Sequence, residues 1–271
     1  MAQFYRRMGS RVTVIEQSPE IASHEDEEVA RALRLILESE EIAFRLETSV
    51  VRVEKDGAGV RLLLKTKRAR DLLTVSHLFV ATGRQPNTDD LGLETIGLKT
   101  ERDGTVPVTS RLATKVRGVW AAGDIRGGPM FTHTAWDDFR VLSSQLAGDR
   151  SRTTRRIVPY AIYTDPQLGR VGMTAVEARR SGRKVKVGRF ELRSNGKARE
   201  IGETEGFIQV VVDARSDRIL GAAVLAHEGA ELVHLFVDVM NAGGRSAAIR
   251  DAVHIHPTLA EAVQSAVAAL K

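Results

Sequence analysis

The segment His254-Ile255-His256-Pro257-Thr258-Leu259-Ala260-Glu261 holds the densest potential for chemistry in the 271 residues. Pro257 and Thr258 suit a helix start, which puts Glu261 in the first turn, close enough to orient an imidazole from the preceding loop. A carboxylate held against one ring nitrogen sets the tautomer and basicity of the other, so His256 with Glu261 reads as a general base. The same spacing suits a surface histidine beside a glutamate that complements the helix N-terminus. His254 reads as structural, since nothing nearby is spaced to bind it. A zinc site on His254 and His256 lacks further ligands arranged by the sequence, so no metal site is expected.

Other positions carry weaker signals. Glu16 closes the apolar run Val12-Thr13-Val14-Ile15, where a carboxylate either accepts hydrogen bonds from an adenosine ribose or caps the strand at the surface. Gly123-Asp124 ends Val119-Trp120-Ala121-Ala122, an arrangement suited to close backbone approach of a ligand or to a plain tight turn. His133, before a helix expected over 134–146, has both a functional and a capping or packing reading.

The elements that must position these residues follow from periodicity. Residues 2–8 are helix-compatible and Gly9 can cap that helix; Arg11–Glu16 reads as a buried strand. Ser23 and Asp26 form an S-x-x-D signature before Val29, Leu33, Ile36 and Leu37, which predicts a helix over 24–40. Val50–Val53 and Val60–Leu64 flank the Asp56-Gly57 hairpin signal, and Leu72–Ala81 reads as a further strand entering Thr82-Gly83-Arg84. Residues 86–118 are loop-like, and 119–122 form a short strand. Past the polar, basic stretch Gly148–Arg156 the rhythm changes, with strands expected near 157–163, 185–192, 206–213 and 218–225, and helices near 174–181, 229–241, 246–253 and 258–270.

Composition narrows the function classes. Hydrophobic residues at 42% and charged residues at 28% exclude wholesale disorder. The sequence contains no apolar run near the roughly 20 residues needed to span a bilayer, and MAQFYRRMGS has no apolar signal region. A soluble, cytoplasmic protein with no membrane partner is the expectation. The net charge of +5 invites a nucleic-acid reading, but Arg150, Arg152, Arg155, Arg156 and Arg179, Arg180, Arg183, Lys184 lack interleaved aromatics and read as solvated faces. Zero cysteines exclude disulfides, thiolate metal sites and a redox dithiol on these residues.

Taken in order, Val12–Glu16, Val80-Ala-Thr-Gly-Arg-Gln-Pro-Asn87, Val119-Trp-Ala-Ala-Gly-Asp124 with Phe131-Thr-His-Thr-Ala135, Tyr163-Thr-Asp-Pro-Gln-Leu-Gly-Arg-Val-Gly172, and His254–Glu261 resemble the flavin-dependent pyridine nucleotide-disulfide oxidoreductases. The likeness is to the branch holding dihydrolipoamide dehydrogenases and mercuric-reductase-like FAD oxidoreductases, and to the latter part of such a protein. The resemblance implies an α/β plus α+β fold: a truncated Rossmann-like NAD(P)-binding domain at 1–82, the C-terminal part of an FAD-binding domain at 83–150, and a complete α+β dimerisation domain at 151–271. It implies that Glu16 binds the adenosine ribose of NAD, with NADP disfavoured, and that Gly83 lets backbone approach the nicotinamide. It implies that Asp124, after Gly123, bonds a ribityl hydroxyl of FAD, that Met130, Phe131, Thr132 and His133 lie against the flavin, and that His256 is the catalytic base held by Glu261.

The implied partner is a second copy docked through 151–271, with Leu232, Leu235, Phe236, Val239 and Met240 as candidates for the interface core. Counting back from Glu16 puts the dinucleotide glycine turn before Met1, so the chain is expected to begin inside a Rossmann unit, to need an amino-terminal half, and to retain neither FAD nor NAD alone. Its ending, Ala-Ala-Leu-Lys, lacks the terminal cysteine pair usual in mercuric reductases, so mercury is unsupported as a substrate. The rival readings are a non-catalytic dimerisation or interaction protein derived from such an enzyme, and a basic nucleic-acid binder.

Overall fold

Val29, Leu33 and Leu37 recur at helical intervals, and in the computed structural model, which describes residues 1–271, they form the buried side of a helix from Glu27 to Ser39. The chain enters it through α1 (Ala2–Arg7) and β1 (Thr13–Ile15); with this helix as α2, it leaves into β2 (Ala43–Arg45). Strands β1 and β2 pair in parallel, Thr13 with Ala43 and Ile15 with Arg45, making a βαβ unit. The helix starts later than its S-x-x-D signature suggests, because Asp26 rather than Ser23 is the N-cap residue.

Next come β3 (Ser49–Asp56), β4 (Gly59–Lys65) and β5 (Arg70–Val75), an antiparallel sheet in that order whose first turn passes through Gly57 at φ +58°. The strand expected over 72–81 stops at Val75. Val75 pairs with Val60 near the start of β4, residues 76–81 have no strand alongside them, and Phe79 and Val80 are exposed.

Residues Val80–Val158 form a compact unit of their own. It is mostly irregular, with 3-10 turns at Leu93–Ile96 and Gly123–Arg126, a core around Leu98, Val106 and Ala121, and one long helix, α3 (Thr132–Leu146). The strand expected at 119–122 is reduced to a single bridge between Trp120 and Ala113, since Val119 and Ala121 hydrogen-bond locally to Thr114 and Leu112.

The other compact unit joins Met1–Phe79 to Pro159–Lys271. Its later part runs β6 (Tyr160–Ile162), β7 (Gln167–Gly172), α4 (Ala175–Arg180), β8 (Val185–Glu191), α5 (Gly196–Ile201), β9 (Phe207–Asp213), β10 (Ile219–Ala226), α6 (Gly229–Leu232), α7 (His234–Asn241), α8 (Ala247–Arg250) and α9 (Ala260–Ala268). Five strands form one antiparallel sheet in the order β6-β7-β10-β9-β8. Every residue of β9 is buried, as a strand covered on both faces requires. On one face Leu168, Phe207, Ala223 and Leu225 share a core with Val29, Leu33, Leu37 and Ile42. On the other, helices come close enough to demand glycine: a Cβ on Gly169 would sit 2.2 Å from the Gly229 carbonyl oxygen, and one on Gly188 2.1 Å from that of Ala266. No helix is long and apolar enough to cross a membrane.

The first and last parts of this unit are also joined by polar groups. The buried Asp26 carboxylate accepts hydrogen bonds from the N–H groups of Ala175 and Val176, at 2.9 and 3.2 Å, and from Gln209 Nε2 at 3.1 Å. It thereby satisfies otherwise unpaired donors at the start of α4. Beside it the buried Glu25 carboxylate accepts from the Tyr160 hydroxyl and faces Arg170 Nε at 3.6 Å. Burial pushes the Glu25 carboxyl up against the opposing pull of Arg170. Asp26→Ala is expected to leave these donors unmet and to lower stability by about 1–3 kcal/mol, read as a shifted urea midpoint. An unshifted midpoint would mean that the bonds from Ala175, Val176 and Gln209 add nothing net to stability.

Candidate functional site

In the unit Val80–Val158 the residues singled out from the sequence are placed by a turn, a helix start and two arginines. Gly123 adopts φ +75° and opens the 3-10 turn that carries Asp124. The turn is pinned from behind: the fully buried Asp138, on α3, accepts the Gly123 N–H at 2.9 Å and also accepts from Arg126 and from Arg156 Nη2 at 2.6 Å. Burial acts to raise the Asp138 carboxyl, but the hydrogen bonds from Arg126, Arg156 and Gly123 outweigh it and hold the group below the usual carboxylate range. Arg156, read from composition as part of a solvated basic face, is thus a largely buried partner of Asp137 and Asp138.

Asp124 is the exposed counterpart. Its carboxylate meets Arg84 Nη1 at 3.3 Å, and the same nitrogen donates to the Met130 carbonyl at 3.0 Å, so Arg84 draws together the Gly83 turn, Asp124 and the strand-like approach to α3. Gly83 sits at φ +119°, where a Cβ would meet nothing within 4 Å. Phe131 precedes the first turn of α3, which starts at Thr132 rather than Thr134; its N–H donates to Thr134 Oγ1 at 3.1 Å. The His133 ring stacks on that of Phe131, centroids 5.2 Å apart. Arg84 therefore ties the Gly83 turn to Asp124 and to Met130, the residue before Phe131 and α3.

Glu16, His256 and Glu261 lie in the other unit. Glu16 follows β1, and its Oε1 accepts the Ser18 N–H at 2.8 Å, which organises the turn after the strand. His256 Nδ1 lies 2.9 Å from Glu261 Oε1, while Glu261 Oε2 accepts the Thr258 N–H at 2.9 Å. Asn195 holds the same loop by donating to the Thr258 carbonyl at 3.0 Å. The Thr258 N–H first and His256 second hold the Glu261 carboxyl below its ordinary range. With an ionised carboxylate on Nδ1–H, Nε2 is the ring nitrogen left for proton transfer, on a side chain that is 76% exposed.

Sequence reasoning missed Arg84, Arg126 and Asp138. One signal for Asp138 was present: Thr134, Asp138 and Val141 share the inward side of α3, so an acid stands on a buried helical face where it needs a cationic partner.

Residues 1–138 match the family model described as pyridine nucleotide-disulphide oxidoreductase, and residues 158–267 match the dimerisation domain of that family. The chain belongs to the pyridine nucleotide-disulphide oxidoreductases. Among family relatives, it is 36% identical to a dihydrolipoyl dehydrogenase of Thermus scotoductus, covering all of this chain and 59% of the relative. It is 32% identical to a leghemoglobin reductase of Glycine max, covering 98% of this chain and 51% of that one. The structure of the HOCl-induced flavoprotein disulfide reductase RclA from Escherichia coli aligns with a TM-score of 0.91 at 32% identity, over 98% of this chain and 61% of RclA. The chain thus spans little more than half the length of the relatives it matches.

The lowered Glu261 carboxyl contributes stability that is present above its ordinary value of 4.5 and is lost as pH falls through its lower folded value. Because the Thr258 N–H is the larger cause, Glu261 in His256→Ala should still titrate below 4.5, followed by carboxyl-carbon NMR. Return to 4.5 or above would make the imidazole the dominant partner.

Proposed function

We propose that this chain is the C-terminal portion of an FAD- and NAD(P)H-dependent oxidoreductase that passes electrons from NADH through FAD to a disulfide or similar acceptor in the cytoplasm. The observation that carries the reading is the His256–Glu261 pair: Glu261 is anchored by the Thr258 N–H and spends its second oxygen on an exposed imidazole. That arrangement orients a base for a substrate outside its own fold.

The residues around Arg84 fit a flavin. Asp124 offers a half-exposed carboxylate to a ribityl hydroxyl, Gly83 leaves an open side, and the main chain of 130–132 enters a helix start. Bound FAD would supply hydride acceptance and its onward transfer as electrons. Around it, Asp124 binds a hydroxyl by exchanging its exposed contact with Arg84, while the Asp138 cluster holds the turn in place. Glu16 accepts ribose hydroxyls and disfavours a 2′-phosphate by charge, selecting NADH over NADPH. His256 takes up and returns the proton of a substrate thiol through Nε2.

The 271 residues contain no cysteine and no G-x-G-x-x-G turn. In this reading the domains are the NAD(P)-binding segment 1–82, the FAD segment 83–150 and the dimerisation segment 151–271, and the redox pair and both pyrophosphate-binding turns come from an amino-terminal half. The chain alone retains neither FAD nor NAD. The second reading, a non-catalytic dimerisation protein, draws on the continuous core that joins α2 to the five-stranded sheet without any flavin-facing residue.

Purified alone, the chain is expected to be colourless; co-expressed with the amino-terminal half of a relative, it should yield a yellow complex whose flavin affinity falls about tenfold in Asp124→Ala. Flavin retained by the chain alone would overturn the dependence on a second half, and no flavin in the complex would favour the non-catalytic reading.

The homodimer rests on the dimerisation segment and on the apolar side chains beside the imidazole, Val253 fully exposed and Ile255 at 79%. Of the candidate interface residues, Phe236 is buried inside its own unit while Leu235 is exposed, so α7 has only part of its apolar surface free for a partner. Light scattering of the full chain should give twice the monomer mass, and Ile255→Asp should shift it towards monomer. A monomeric wild type at high concentration would remove the homodimer from this reading.

A further inference from the structure

The register of the five-stranded sheet brings three distant segments to one end. Gln167 pairs with Ala226, and Leu225 with Phe207, so the loop before β7, the residue after β10 and the loop before β9 are neighbours there. Asp165, His227 and Glu203 stand on those three segments, and one ligating atom from each lies within 4.8 Å of the others. We propose that Asp165, Glu203 and His227 bind one divalent first-row transition ion, with Zn(II) the best match. None of the three belongs to the residues assigned to flavin, nicotinamide cofactor or proton transfer.

The donor set suits that chemistry. One imidazole and two carboxylates give borderline nitrogen with hard oxygen, and the two negative charges balance a divalent cation. Metal–ligand bonds of about 2.0–2.2 Å place neighbouring donors roughly 3–4 Å apart, a contraction that side-chain rotation supplies. Three protein donors leave a position open to water, as in exchangeable rather than closed structural sites.

The backbone beneath two of the donors is held, and their heads are engaged only by partners at the surface. Gln3 clamps Asp165 on both sides, accepting its N–H at 2.8 Å and donating to its carbonyl at 2.6 Å. Gln167 Oε1 accepts the Ala230 N–H at 3.0 Å, tying the start of β7 to the turn after His227. Such supporting bonds orient ligands. Arg7 donates to the Asp165 carboxylate at 2.7 Å but also makes two bonds to Glu40, at 2.9 and 2.8 Å. An arriving cation can therefore take Asp165 and leave the guanidinium paired. His227 is only loosely engaged, 3.7 Å from Glu228.

The test uses the full chain, free of any histidine tag and stripped with chelator, titrated with Zn(II) by calorimetry and with Co(II) by visible absorption. A single equivalent should bind, with a raised thermal midpoint. His227→Ala and Glu203→Gln should each weaken binding about tenfold or more with unchanged circular dichroism, and His24→Ala, a histidine elsewhere on the surface, should bind as wild type. Absence of uptake, uptake unchanged in His227→Ala and Glu203→Gln, or equal loss in His24→Ala would overturn the proposal.

Discussion

The Asp26 carboxylate is the constraint on which the larger unit depends. A buried carboxylate is tolerated only where donors replace its water, and here the donors come from Ala175, Val176 and Gln209, between 149 and 183 residues away in sequence. That bond set fixes the start of α2 over the five-stranded sheet, with the neighbouring Glu25, Tyr160 and Arg170 adding a second polar tie. Once α2 is seated, Val29, Leu33 and Leu37 meet Leu168, Phe207 and Leu225, and the apolar burial that dominates the stability of the unit is complete. Removing the early residues would uncover one face of the sheet whose other face carries α9, and with it Glu261.

Carboxylates are used in two distinct ways across the protein. Asp26, Asp138 and Glu261 each accept a main-chain N–H and at least one side-chain donor, which fixes a turn or helix start in a single geometry. Asp124 accepts only an exposed guanidinium at 3.3 Å. A pair of that kind contributes about 0–1 kcal/mol, so it can exchange for a ligand hydroxyl at small cost. The rigid carboxylates build the frame, and Asp124 is the exchangeable one.

The elements legible in the sequence were those whose signal is local. The apolar spacing of α2, the Asp56-Gly57 hairpin and the runs that became β8, β9 and β10 need only their own neighbours to be recognised. The short strand β7, whose run contains Gly169 and Arg170, reads as neither alternating nor continuous, because Gly169 answers to a helix carbonyl and Arg170 to Glu25. The reverse error occurred at 76–81, where apolar residues suggested a strand but no neighbouring strand lay beside them.

By itself the sequence determined the family, through motifs in a fixed order, and the His256–Glu261 pair, because a helix start sets that spacing within eight residues. It also placed Asp124 directly after a glycine that ends an apolar run, and the structure made that glycine the positive-φ start of a 3-10 turn. Only the tertiary structure decided that Asp26 caps a helix other than its own, that Asp138 and two arginines hold the Asp124 turn, and that Asp165, Glu203 and His227 share one end of a sheet. The physical reason is common to all three: each depends on charges and donors distant along the chain, and strand register and helix packing bring them within hydrogen-bonding or coordination range.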